Sequence, residues 1–233
     1  LVEYTLKRSR RRKTVAMKIQ QQSLTVYAPY GVAISSIEHW LQTKQDWIQS
    51  QITKQSEISQ TQQLPLKTLQ INVFGSPLKL SFDIGKKTAV DAIDSDTMSG
   101  LNITISSRVK HKKQMYQSLL EAFMHEQLEN YIEMRIHEYC MQMGEELPTK
   151  LKIMAYKRRW GSCNRRRELT FNLLLVGAPK WVIDYVVVHE LSHLKYLNHS
   201  TQFWLRVGEF YPQYKKASHW LKEHGMSLQW VFD

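Results

Sequence analysis

His189, Glu190 and His193 stand in the order H-E-x-x-H inside a largely apolar stretch, Trp181 to Leu197. On a helix, positions i and i+4 share a face, so both imidazoles reach one metal ion. Glu190, rotated about 100° away, sits beside a water on that ion. Two metal ligands and a general base are the parts of a hydrolase that activates water. A catalytic zinc takes a third protein ligand, and His199 follows His193 by six residues, where Leu197 and Asn198 end the helix and a turn swings the chain back. The competing reading of each histidine is a satisfied core residue. Burying two imidazoles and a carboxylate among Val and Trp is costly without a metal, and a metal removes that cost. For Glu190 the competing reading is a buried carboxylate that orients an imidazole.

Two other pairs, His125-Glu126 and His137-Glu138, begin the same pattern, but Glu129 and Met141 stand where a second histidine is required. Both read as solvated helix positions. Upstream, Arg159-Trp160-Gly161-Ser162-Cys163 reads as a strand edge near the metal. Its free backbone groups would pair with an extended peptide, which makes Arg159, Trp160, Gly161 and Ser162 the candidate substrate-binding residues. Ser162 or Cys163 as nucleophile is disfavoured: the spacing is not that of a nucleophile elbow, and metal-activated water needs no side-chain nucleophile. Cys163 as a fourth zinc ligand would close the site and make it structural. Arg159, Tyr196, Tyr211, Tyr214 and His219 are the candidates for stabilising a developing oxyanion.

The elements that must position these residues fall into two parts, or into one continuous compact unit. Residues 1–106 read as a β-rich region with one helix: strands at Tyr4–Leu6, Thr14–Ile19, Leu24–Tyr27, Leu66–Phe74, Leu78–Phe82 and Leu101–Ile105. The helix starts after Ser35 and Ser36 and carries Ile37, Trp40, Leu41, Trp47, Ile48 and Ile52 on one stripe, with 53–63 as a frayed end and connector. Residues 107–233 turn helical. One long helix runs from Lys112 to Gly144, strands follow at Leu151–Tyr156 and Leu169–Leu174, and Pro179 opens the helix Trp181–Leu197. The latter is apolar nearly all round and so belongs at a domain centre. Helices at Thr201–Tyr211 and Gln213–His224 complete the chain.

With 233 residues and 42% hydrophobic content the chain is long enough for a sizeable core, which excludes a peptide or a disordered tail. No apolar run approaches the roughly 18 residues of a membrane span, and two cysteines are too few for a disulfide framework; we expect a cytoplasmic protein with no membrane partner. The net charge of +11 is concentrated. Residues 1–20 hold seven basic side chains against Glu3, and 150–167 hold eight against none. A positive field of this kind attracts polyanions, so the basic segments 7–18 and 150–167 make nucleic acid a candidate partner beside a peptide or protein substrate. The bland reading is a solvated loop and strand edge.

Arg159-Trp160-Gly161-Ser162-Cys163, then Asp184-Tyr185-Val186-Val187-Val188-His189-Glu190-Leu191-Ser192-His193-Leu194, then Asn198-His199-Ser200 with Phe203-Trp204, resemble the YgjP-like metallopeptidases, and more distantly the SprT-like proteases. The Arg-rich first hairpin and Ala28-Pro29 before a Trp-bearing helix extend the likeness over most of the chain. The His193 to His199 spacing also equals that of metzincins, but Tyr196 stands where those have glycine and no Met-turn follows. The resemblance implies a compact zincin core of the minigluzincin type, one zinc per chain held by His189, His193 and His199, and Glu190 as base. The expected fold is therefore α+β: an N-terminal, mostly antiparallel β region followed by a helical zincin-like metallopeptidase core with a small β-sheet. The expected function is zinc-dependent peptide hydrolysis. The alternative is a nucleic-acid-associated or protein-binding module with a structural zinc and no turnover.

Overall fold

The computed structural model describes residues 3–20, 23–93 and 99–232. It is mixed α+β and divides into two compact units, Leu1–Gln62 and Gln63–Asp233. In the first unit, strands β1 (Tyr4–Arg8), β2 (Ala16–Gln20) and β3 (Ser23–Ala28) form a sheet in the order β1-β3-β2. Along β3 alternate residues Leu24, Val26 and Ala28 are buried, as a half-covered strand requires. Helices α1 (Ile34–Thr43) and α2 (Gln45–Thr61) supply Ile37, Leu41 and Ile48 to the same core. The single helix expected here is thus two, broken at Lys44 with φ −112° and ψ 8°, and the expected connector is helical to Thr61. The apolar stripe runs across the break, so periodicity alone does not reveal it. Arg8 donates to the carbonyls of Pro29, Tyr30 and Val32, which fixes the turn after β3.

The second unit begins with a short helix α3 (Pro65–Thr68) and strands β4 (Gln70–Val73), β5 (Ser76–Gly85), β6 (Ala89–Ile93) and β7 (Gly100–Ser106), in sheet order β4-β5-β7-β6. β6 is an addition to the strands read from the sequence. Ile71, Leu80, Leu101 and Ile103 of this sheet share one core with the long helix α4 (Lys112–Met143) and with α5 (Lys180–Ser192). The two units divide at Gln62/Gln63, while the sequence reading sets its division after residue 106. The change from strand to helix at residue 107 marks a change of period inside one core. On α4 the buried residues Leu120, Met124, Leu128, Ile132, Ile136 and Cys140 recur every fourth position and make a single stripe, and Gly144 (φ 62°) ends the helix in the left-handed conformation.

A second sheet holds β8 (Lys150–Met154), β9 (Gly161–Cys163) and β10 (Glu168–Asn172) in the order β8-β10-β9. β8 runs parallel to β10, as β1 does to β3 and β5 to β7, while the remaining pairs are antiparallel. A turn of 3-10 helix, Leu173–Gly177, leads into α5, and α6 (Thr201–Phe210) and α7 (Tyr214–His224) follow. α4 and α5 are clamped by polar groups. Asp184 accepts from Tyr131 Oη at 2.8 Å and from Arg135 Nε at 2.9 Å, while Arg135 also donates to Tyr139 and to Glu138. Stranding one partner of a mostly covered ion pair costs about 3 kcal/mol, against at most about 1 kcal/mol for an exposed pair, so this clamp fixes the axial position of α5. The chain after α7 returns to the start of the unit, where Gln63 and Trp230 form a parallel bridge. Among the described residues no helix is long and apolar enough to cross a membrane.

Candidate metal centre

α5 is apolar because it is enclosed: Val182, Ile183, Val186, Val187, Val188 and Leu191 are all buried. Its last residues carry the polar groups. His189 and Glu190 lie in the final turn, and His193 caps the helix with its ψ already relaxed to −18°. The helix was expected to reach Leu197 and instead stops at Ser192. The turn that replaces it is tight, with Leu194 N bonded to Leu191 O and Tyr196 N to Ser192 O. Ser200 accepts from Phe203 N and starts α6, so His199 is held between two short, well-defined pieces of chain.

The ligand-type nitrogens of His189, His193 and His199 lie within 4.8 Å of one another, with Nε2 of His189 and of His199 3.1 Å apart. Around a tetrahedral zinc with Zn–N near 2.05 Å, ligand nitrogens stand about 3.3 Å apart, so this spacing suits a metal of that size. His193 Nδ1 lies 2.9 Å from the carbonyl of Tyr196. Donation there places its proton on Nδ1 and leaves Nε2 as a lone pair. Burial, with the neighbouring imidazoles, pulls His189 down to about 3 and lowers His193 as well, so both rings are neutral at physiological pH. Aromatic rings hold the set. Phe203 stacks on His193 at 4.5 Å and Trp204 on His199 at 5.6 Å.

Glu190 is 4% exposed, and burial pushes its carboxyl up to about 8, only partly offset by Arg159. Its Oε2 has no hydrogen-bond partner, and neither has His189 Nδ1. A buried carboxyl with an unpartnered oxygen beside three clustered imidazoles fits a site that takes a cation. Against it lies the edge strand β9: a Cβ on Gly161 would stand 2.5 Å from Glu190 Oε1 and 2.7 Å from its Cγ. Gly161→Ala should therefore displace the carboxylate. We expect loss of turnover by at least about tenfold with metal content retained, read by steady-state kinetics beside elemental analysis; full activity would show that the contact is not used.

A cavity of about 370 Å³ opens here, lined by Arg159, Trp160, Gly161, His189 and Glu190. Three of the four candidate substrate-binding residues thus reach it. Ser162 is not among its lining residues, and its hydroxyl lies 3.2 Å from that of Tyr156. Of the oxyanion candidates, Arg159 borders the cavity, Tyr211 donates to the carbonyl of Trp181, Tyr214 stacks on Trp204, and His219 pairs with Glu223. Tyr196 contributes its carbonyl to His193. Cys163 lies outside the three-histidine set, and burial, then the charge of Glu190, push its thiol up to about 11. Tyr185, Ser218 and Lys222 also line the cavity. Tyr185 sits one turn before His189 on the same face, a spacing that marks it in hindsight; Ser218 and Lys222 come from α7, and no local pattern points to them.

A helix with this cluster at its end, set against a small sheet in an α+β unit, is an arrangement able to hold a metal ion. The chain belongs to the YgjP-like metallopeptidase family, whose domain profile matches residues 13–224. No curated protein matches the chain. Among solved structures it is similar to the crystal structure of the metallopeptidase zymogen of Pyrococcus abyssi abylysin, at 21% identity and a TM-score of 0.38, over 43% of this chain and 99% of that one.

Proposed function

We infer that the metal is zinc, held by His189, His193 and His199, and that Glu190 is the general base of peptide-bond hydrolysis. The observation that carries this reading is the cluster of three imidazole donors beside a buried carboxyl with an unpartnered oxygen. When bound, zinc acidifies a water molecule, polarises the scissile carbonyl and pulls the Glu190 carboxyl back down into the range where it ionises. Glu190 accepts the proton of the attacking water as its oxygen bonds to the carbonyl carbon, and hands that proton to the leaving nitrogen as the C–N bond breaks. The outer edge of β9 offers backbone groups to an extended substrate, and the bare Gly161 lets that backbone approach Glu190. Three ligands, with the Cys163 thiol outside the set and kept protonated by burial, favour a working site over a structural one.

The test is cleavage of a mixed peptide library by zinc-reconstituted protein, followed by mass spectrometry. Chelator-sensitive cleavage at a restricted set of bonds is the expected result. A fully metallated protein that leaves every peptide intact would remove the peptidase assignment.

A further inference from the structure

The cavity beside the metal centre does not end there. It adjoins a second one of about 200 Å³, and the two share Arg159, Trp160, Leu221 and Lys222. Lys157 and Arg158 line the second cavity, so four cations border it, and none of its lining residues is acidic. None of the four takes part in an ion pair among the described residues, whereas Arg135, Lys152, Arg167 and Arg206 all do. Glu223, the acidic neighbour of Lys222, lies 3.1 Å from His219 instead.

The loop bearing three of these cations is built. Asn172, 2% exposed, donates through Nδ2 to the carbonyls of Tyr156 at 3.0 Å and Arg159 at 2.9 Å, and through its backbone N to the carbonyl of Trp160 at 2.8 Å. Trp160 is seated against Gly225, where a Cβ would stand 2.5 Å from its ring. A loop fixed from both sides presents its charges without a large ordering cost, which is what selection by charge requires.

We propose that this second cavity is a specificity subsite that takes an acidic side chain of the substrate, close to the scissile bond, with Arg158 and Lys222 as its selecting charges. The assignment rests on the peptidase reading above. Recognition of a peptide carboxylate fits better than recognition of a nucleic-acid backbone because the charges border a small concave pocket that shares Arg159, Trp160, Leu221 and Lys222 with the cavity at the three histidines.

The experiment uses zinc-reconstituted protein and paired peptides identical except for Glu, Gln or Lys at each position flanking a cleaved bond. At one such position the Glu peptide should exceed its Gln twin about tenfold in kcat/KM, and the advantage should shrink as salt rises. In Arg158→Glu, which leaves three cations and one anion on the border, the Glu-over-Gln ratio should fall severalfold while kcat/KM for the Gln peptide is kept, an outcome that mere structural damage does not produce. Equal kcat/KM for Glu and Gln peptides at every position overturns the proposal, as does an unchanged Glu-over-Gln ratio in Arg158→Glu. Equal peptide rates together with salt-steep binding of a DNA duplex that Arg158→Glu abolishes would also overturn it, assigning the cations to a polyanion instead. If no peptide is cleaved, the peptidase reading fails by itself. The subsite is then judged by fluorescence anisotropy of the same peptides on zinc-loaded Glu190→Gln protein, where selective binding of the Glu peptide supports it and equal binding sinks it.

Discussion

Glu190→Gln is expected to keep its full metal content and to lose turnover by about a thousandfold. The amide matches the carboxylate in volume, so the packing under Gly161 and beside Arg159 survives, and the three histidines are left unaltered. What disappears is the ability to accept a proton from water and release it to an amine nitrogen. An oxygen that is buried and unpartnered in the resting protein is the sign of a group kept free for a reactant. The measurement is kcat on a cleaved peptide, beside elemental analysis of the same preparation. Near-wild-type turnover would mean that Glu190 orients rather than reacts. Loss of metal together with activity would make it part of the metal's own support.

His193→Ala should lose the metal, while Cys163→Ala should keep it. His193 is the most enclosed of the three histidines at 8% exposure, and its Nδ1 contact with the Tyr196 carbonyl fixes the orientation of the ring. No neighbouring side chain can replace it on that face, which Phe203 already covers. Elemental analysis should give about one zinc per chain for the wild type and for Cys163→Ala, and close to none for His193→Ala. Chelation of the wild type removes a ligand bound to the folded state alone. At free metal a thousandfold above Kd the bound ion contributes about 4 kcal/mol, so stripping it should lower Tm by about 10 °C. Zinc retained in His193→Ala and lost in Cys163→Ala would exchange a catalytic centre for a structural one.

What the sequence made legible was local. H-E-x-x-H needs only the helical repeat, and His199 needs only a turn within the next six residues, so all three histidines were readable from spacing and the structure brings them together. The stripe of α4 was readable for the same reason, and Gly144 marked its end. Less legible was whatever depends on distant chain. The break at Lys44 leaves the apolar stripe intact. The parallel pairs β1/β3, β5/β7 and β8/β10 join strands that periodicity cannot order. The sheet of β4 to β7 looks, residue by residue, like the strands before it, and its allegiance to α4 is decided by which apolar face meets which. The cavity shows the same division. Arg159, Trp160 and Gly161 lie close enough in sequence to a recognisable strand edge to be proposed, whereas Lys222 and Ser218 arrive from α7, and Asn172 acts on a loop twelve to sixteen residues before it.

The bridge between Gln63 and Trp230 makes the larger unit almost a ring. Gln63 N bonds to Gln229 O and Val231 N to Gln63 O, so the two ends of that unit are stitched side by side by main-chain bonds. A ring with a nick tolerates having the nick moved, because joining the adjacent ends with a short linker adds little strain. The order of elements in this unit is therefore one of several circular permutations compatible with the same packed core. The three histidines and Glu190 lie in one stretch of eleven residues away from the seam, which a rearrangement with its new ends outside 189–199 carries intact.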